Sequence, residues 1–198
     1  VKDYLATGER ARKAGNLDGA IQAFAAAAKD HPDYSEAHGR LGMIYLDDRN
    51  DYGAAIREFE NVLSLPQNRQ LVHKQFAVMF ANLGHAYYEK GSELANRDRD
   101  GAAQNLSKAI QNLQTARQNM RFFPAQRYDE AVHDTYYYTA LSYHKLYLLT
   151  KKGSYLDAAN TAWQDYADFF PAKLAGNPVF EKSREAAKTY RAQLGDKK

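Results

Sequence analysis

A short pattern recurs four times along this chain and constrains its fold more than any other feature. Each copy begins with a residue suited to capping a helix: Asn16, Asn50, Asp98 or Ser154. An Ala follows, and a bulky apolar residue lies four positions further on, so both share one helix face. The pairs are Ala20 with Phe24, Ala55 with Phe59, Ala102 with Leu106, and Ala159 with Trp163. The recurrence predicts four helices, each packed against a neighbour.

The positions of prolines and glycines indicate that each of these four helices is paired with a second helix. Pro cannot continue a helix, so helix ends are predicted at His31-Pro32, Leu65-Pro66, Phe123-Pro124 and Phe170-Pro171. A second helix is predicted upstream of each capped start, and three of these helices carry Gly8, Gly42 and Gly84 at similar places. Gly costs about 1 kcal/mol inside a helix relative to Ala. The glycines therefore indicate backbones packed closely, and Gly42→Leu is predicted to clash.

The pattern resembles the tetratricopeptide repeat, a helix-turn-helix unit of roughly 34 residues. The first repeat matches it at Tyr4, Gly8, Ala20, Phe24, Ala27 and Pro32. The second matches at Leu41, Gly42, Tyr45, Ala55, Phe59 and Pro66. The third keeps Leu83, Gly84 and Tyr87, whereas the fourth has Lys145 where Tyr is usual.

The resemblance implies an all-α solenoid of antiparallel helix hairpins, forming a single domain over residues 1–198. The repeats are expected at 1–34, 35–66, 67–124 and 125–171, with a C-terminal capping helix at 177–195. Wide spacing between the later prolines predicts extended helices around 67–90, 102–122 and 128–151.

The resemblance also implies a function, namely a non-catalytic scaffold that binds another protein or peptide within a larger complex. In this family the first helix of each pair lines the concave surface. Counting along these helices gives the predicted partner-binding residues Glu9, Arg12, Met43, His85, Tyr88, Tyr136, Tyr143 and Tyr147. The count also places Leu46 and Asp47 on this surface. Leu5 and Glu9 replace the Lys and Asn clamp of chaperone-associated members, so a chaperone C-terminal peptide is not expected.

The tyrosines allow a second interpretation. Tyr138, Leu141 and Leu148 are predicted to belong to the core, whereas Tyr136, Tyr143 and Tyr147 form another stripe. That stripe could line the binding groove or pack against a neighbouring helix. A Tyr-lined space between long helices would suit a small-molecule carrier, which is the alternative function. A module of a multidomain enzyme is a third possibility.

Sequence motifs for metal binding are weaker. Asn96, Asp98 and Asp100 resemble half of a calcium loop, but the twelfth position would be Ser107, so a capped turn is preferred and neither metal nor cofactor is expected. The six histidines lack a zinc-hydrolase pattern, and His133 and His144 suggest a surface pair.

Charge and composition bear on partner and location. The net charge of +3 and a stripe of Lys108, Arg117 and Arg121 do not indicate nucleic acid. No apolar run approaches the length of a membrane span. The lack of cysteine and the two Phe-Pro endings slightly favour a bacterial envelope location, periplasmic or lipid-anchored, over the cytoplasm.

Overall fold

A computed structural model of the chain describes residues 2–65, 73–120, 129–173, 176 and 178–195. These residues form helices joined by short connections, which confirms the all-α prediction. The helices are α1 (Lys2–Lys13), α2 (Leu17–Asp30), α3 (Ser35–Met43), α4 (Tyr52–Ser64), α5 (His73–Leu94), α6 (Arg99–Met120), α7 (Asp129–Thr150), α8 (Gly153–Lys173) and α9 (Pro178–Gly195).

Consecutive helices pack against each other as hairpins, in the pairs α1–α2, α3–α4, α5–α6 and α7–α8. Successive pairs then stack, because α2 contacts α3, α4 contacts α5, and α6 contacts α7. The first helices of the last two pairs also touch directly, since α5 contacts α7. This stacking brings the first helices to one side of a helical-repeat solenoid.

Three of the four predicted starts are capped. A side-chain oxygen accepts the backbone N–H three residues ahead at Asn16, Asp51 and Asp98, with a distance of 2.9 Å in each case. The cap of α4 is therefore Asp51, while Asn50 adopts a left-handed φ of 53°. The fourth prediction is wrong, because α8 begins at Gly153 and Ser154 lies within its first turn.

The helix ends predicted from the prolines agree with the structure only in part. α2 ends at Asp30, just before Pro32, and α4 ends at Ser64. α8 instead runs through Pro171 to Lys173, so this proline does not end its helix. Because Pro171 has no backbone N–H, the last turn of α8 lacks one helical hydrogen bond. Pro66, Pro124 and the predicted segment 67–72 lie outside the described residues.

The recurring Ala and bulky residues form the centre of each hairpin. Ala20, Phe24, Ala55, Phe59, Ala102, Leu106, Ala159 and Trp163 are all fully buried. The glycines face these residues closely. A Cβ added to Gly8 would lie 2.5 Å from Phe24, and one added to Gly42 would lie 2.5 Å from Phe59. Both sites therefore require a residue without a side chain, as predicted.

The C-terminal end of the solenoid is closed by α9. Phe180, Ala187 and Leu194 of this helix are buried, and the ring of Tyr190 stacks on Trp163 with centroids 5.6 Å apart. These contacts cover the apolar surface of α7 and α8, the role predicted for a capping helix. Within the described part of the chain, no helix has the length and apolar character needed to cross a bilayer.

Candidate partner-binding cleft

A cleft of about 860 Å³ opens on the side of the solenoid where the first helices meet. Its walls come mainly from α1, α3, α5 and α7, so every helix pair contributes, and α4 adds Val62. The residues that line it are Arg12, Tyr34, Ser35, Glu36, Gly39, Arg40, Met43, Leu46, Asp47, Val62, Gln75, Val78, Met79, Asn82, His85, Glu130, Ala131, Asp134 and Tyr138.

Part of the cleft is apolar. Met43 lies on α3, and Val78 and Met79 lie on α5, where all three are partly buried. The amide of Asn82 donates to the sulfur of Met43 at 3.1 Å and ties α5 to α3. Flexible thioether side chains adapt to different partners, so this surface can accept apolar side chains of more than one shape.

A wide turn at the end of α3 places the next residues of the cleft. Residues Ile44–Asp48 form a π-helical turn, which Arg49 closes by donating its backbone N–H to the Ile44 carbonyl at 3.0 Å. The extra residue in such a turn rotates the following side chains relative to a regular α-helix. Leu46 and Asp47 lie in this turn and line the cleft, and Leu46 is buried.

The arginines of the cleft are already paired. Arg12 donates to Asp48 at 2.9 Å, with Asp47 at 3.9 Å. Arg40 contacts Glu9 at 2.5 Å and Glu36 at 3.1 Å. These pairs connect α1 to the end of α3 and hold the N-terminal wall in place, while their exposure limits what each contributes to stability.

The opposite wall is formed by α7. Its Tyr138 ring stacks on His85 of α5, with centroids 3.9 Å apart. Asp134 lies one turn earlier and accepts a hydrogen bond at 2.9 Å from His133, if the imidazole carries its proton on Nδ1. Glu130 lies one further turn back and is exposed. Residues 130, 134 and 138 therefore form one stripe with a spacing of four.

The pKa of the Asp47 carboxyl depends on the charged side chains around it. Partial burial raises the pKa of the Asp47 carboxyl above its usual range, and the negative charges of Asp48 and Glu130 add to this effect. Arg12, and His85 when its imidazole is protonated, act in the opposite direction. The Asp47 carboxyl therefore responds to charges on the π-helical turn, on α1, on α5 and on α7.

The structure places the predicted binding residues in two groups. Arg12, Met43 and His85 line the cleft, and Glu9 reaches its rim through the ion pair with Arg40. Tyr88 is buried beside Tyr138, with ring centroids 5.2 Å apart, and does not line the cleft.

The remaining predicted residues pack within the protein. Tyr136 stacks on Phe169 of α8 with centroids 4.8 Å apart. The hydroxyl of Tyr143 accepts a hydrogen bond from Gln114 of α6 at 3.1 Å. Tyr147 is buried, with 9% of its surface exposed. None of the three lines the cleft, so this stripe follows the packing interpretation, because α6 and α8 flank α7 on that side.

Sequence reasoning assigned the faces of α7 correctly only in part. Leu141 is buried and Tyr138 packs against the core, as predicted, although Tyr138 also lines the cleft. Leu148 was predicted to be buried but is 39% exposed. Glu130 and Asp134 were not identified at all. Their spacing of four with Tyr138 was the available signal, but rings lie on several sides of α7 and hide the polar face.

The weaker candidate sites are occupied by internal contacts. Asp98 caps α6, which accounts for its carboxylate without a metal ion. His133 and His144 are buried rather than on the surface, since Tyr166 and Trp163 lie against them. Arg117 pairs with Asp165 at 2.7 Å. The described residues contain no cluster of three His, Asp or Glu side chains suited to a metal ion.

The fold and the cleft together define a helical-repeat protein with a concave surface. Comparison with protein families adds that the tetratricopeptide repeat family matches residues 5–68, which span α1 to α4. This match confirms the predicted resemblance to tetratricopeptide repeats over the first two helix pairs. Repeats of this family generally mediate protein–protein interaction and the assembly of complexes. No curated protein matches the chain.

Proposed function

We propose that this chain is a non-catalytic scaffold and that its cleft binds a segment of a partner protein. The observation that carries the proposal is the convergence of all four first helices on one cleft. An apolar strip with polar and charged residues around it is the usual composition of a protein-binding surface. A bound segment would contact several repeats at once, so its affinity would depend on the whole stack.

The alternative, a small-molecule carrier, depends on an enclosed space lined by tyrosines. Tyr136 and Tyr143 instead contact side chains of α8 and α6, and the cleft is bordered by ion pairs. Small-molecule sites are mostly apolar and bury most of the ligand. The charged border of this cleft thus supports a peptide more than an apolar ligand.

Gly39 offers a direct way to block the cleft. A Cβ added there would meet only the sulfur of Met79, at an ordinary contact distance of 3.9 Å. Gly39→Phe should therefore fill the cleft without disturbing the fold. Gly153→Phe is a matched control, because Gly153 also lies in a helix, outside the cleft, with nothing within 4 Å of an added Cβ.

The test uses a displayed library of random dodecapeptides, selected on the wild-type protein and then measured on both variants. We expect most selected peptides to lose at least about tenfold in affinity on Gly39→Phe, which is about 1.4 kcal/mol, and to bind Gly153→Phe normally. If Gly39→Phe melts like the wild type but binds the peptides equally well, the cleft is not the binding site.

The location of the protein in a bacterial envelope stays a prediction.

A further inference from the structure

We propose that the partner segment is cationic, with lysine or arginine side chains placed beside apolar ones. This inference rests on the proposed function, because it names the chemistry of the segment that the cleft binds. Its basis is the sign of the charge that the described residues leave in the cleft. That sign is opposite to the net charge of +3 for the whole chain.

Among the described residues that line the cleft, carboxylates outnumber arginines. The positive side chains among the described lining residues are Arg12 and Arg40, and each already contacts carboxylates of α1, α3 or the π-helical turn. The lining carboxylates are Glu36, Asp47, Glu130 and Asp134. After the arginine pairs are formed, negative charge remains, and it lies on the side of the cleft formed by α7.

Asp47 and Glu130 belong to walls that are distant in sequence. Asp47 lies in the π-helical turn after α3, and Glu130 lies in the first turn of α7. Both carboxylates line the cleft and are exposed, so a ligand that enters the cleft can reach them. A cation bound between two carboxylates reduces their repulsion and gains attraction from both. An anionic segment would add to the repulsion at the same place.

The neighbouring residues define the rest of the segment. Met43, Val78 and Met79 offer apolar contacts beside these carboxylates. The stacked rings of His85 and Tyr138 also line the cleft. A segment that alternates basic and apolar side chains satisfies both kinds of surface, whereas a purely basic segment leaves the methionines uncovered.

The experiment uses a second displayed library, in which each position of a dodecapeptide is Leu, Ala, Gln, Lys or Glu. Peptides are selected on the wild-type protein, and those that fail to bind Gly39→Phe are taken as cleft ligands. We expect Lys to outnumber Glu by at least about threefold in this group. Raising the salt concentration should weaken their binding, since exposed charge pairs are screened.

Charge neutralisation then tests the named residues. Asp47→Asn and Glu130→Gln should each weaken the Lys-containing ligands by about two- to fivefold, the range expected of exposed ion pairs. Asp157→Asn is the control, because Asp157 is exposed on α8 outside the cleft. It removes the same charge from the protein and should leave binding unchanged.

The outcomes separate the two proposals. Cleft ligands without an excess of Lys, or with unchanged affinity for Asp47→Asn and Glu130→Gln, would overturn the cationic partner and leave the binding function standing. Peptides that bind Gly39→Phe as well as the wild type would overturn the proposed function itself. Equal weakening by Asp157→Asn would show a general effect of net charge and would also overturn the inference.

Discussion

Gly42 and Gly39 lie one helical turn apart on α3 and should respond oppositely to the same change. A Cβ at Gly42 would lie 2.5 Å from the ring of Phe59, which is fully buried and cannot move into solvent. Ordinary carbon contacts are about 3.5–4.0 Å, so the ring or helix must shift by about 1 Å. Overpacking of this kind costs about 1–3 kcal/mol.

Both changes to Ala gain the same helix propensity, about 1 kcal/mol over Gly. Gly39→Ala adds a Cβ 3.9 Å from Met79 and keeps this gain. Gly42→Ala should therefore be less stable than Gly39→Ala by about 1–3 kcal/mol, since only the clash distinguishes them. Gly42→Leu should lose more.

The assay is thermal unfolding of the variants followed by far-ultraviolet circular dichroism. For a chain of this length, about 1 kcal/mol corresponds to a change of about 2–4 °C in Tm. We expect Gly39→Ala to melt at or above the wild-type temperature, and Gly42→Ala to melt at or below it and clearly below Gly39→Ala. Equal melting temperatures for the two Ala variants would refute the close packing of α3 on Phe59.

Three further predictions concern residues that do not line the cleft. Asp98→Ala should cost about 1 kcal/mol by removing the cap of α6, and calcium should not raise the Tm of the wild type if Asp98 is only a cap. Burial lowers the pKa of Lys145, so ionised Lys145 costs stability at neutral pH. That cost disappears as pH rises toward the ordinary lysine range, so Lys145→Met should raise the Tm at neutral pH but gain less at high pH. Tyr136→Ala should lower the Tm by removing the stack on Phe169, yet leave binding of cleft peptides unchanged.

Most of the fold could be predicted from the sequence, because the patterns that specify helices and their caps are local. Ala20 and Phe24 share a helix face whatever the rest of the chain does, and Asn16 caps the helix that begins beside it. Pro171 shows the limit of such reasoning. A proline near a helix end can lie just inside or just outside it, and the neighbouring packing decides between the two.

The site was harder to predict because it depends on which face each helix turns inward. Met43 and His85 were identified from the facing rule of the repeat family, which fits the regular helices α3 and α5. α7 buries aromatic rings on several sides, so its periodicity did not reveal the stripe of Glu130, Asp134 and Tyr138. Leu46 and Asp47 were placed on the same face by counting along a regular helix, but they lie in a π-helical turn that the local sequence pattern did not predict.

Hydrogen–deuterium exchange with and without a selected cleft peptide tests the central claim most directly. Backbone amides that the ligand covers or stabilises exchange more slowly, and the effect can be read along the whole chain. We predict slower exchange in α3, in the first half of α5 and in the first turns of α7, which border the cleft. Slower exchange confined to the outer helices α6 and α8, or to α9, with no change in α3 and α5, would contradict a binding surface built from the first helix of each pair.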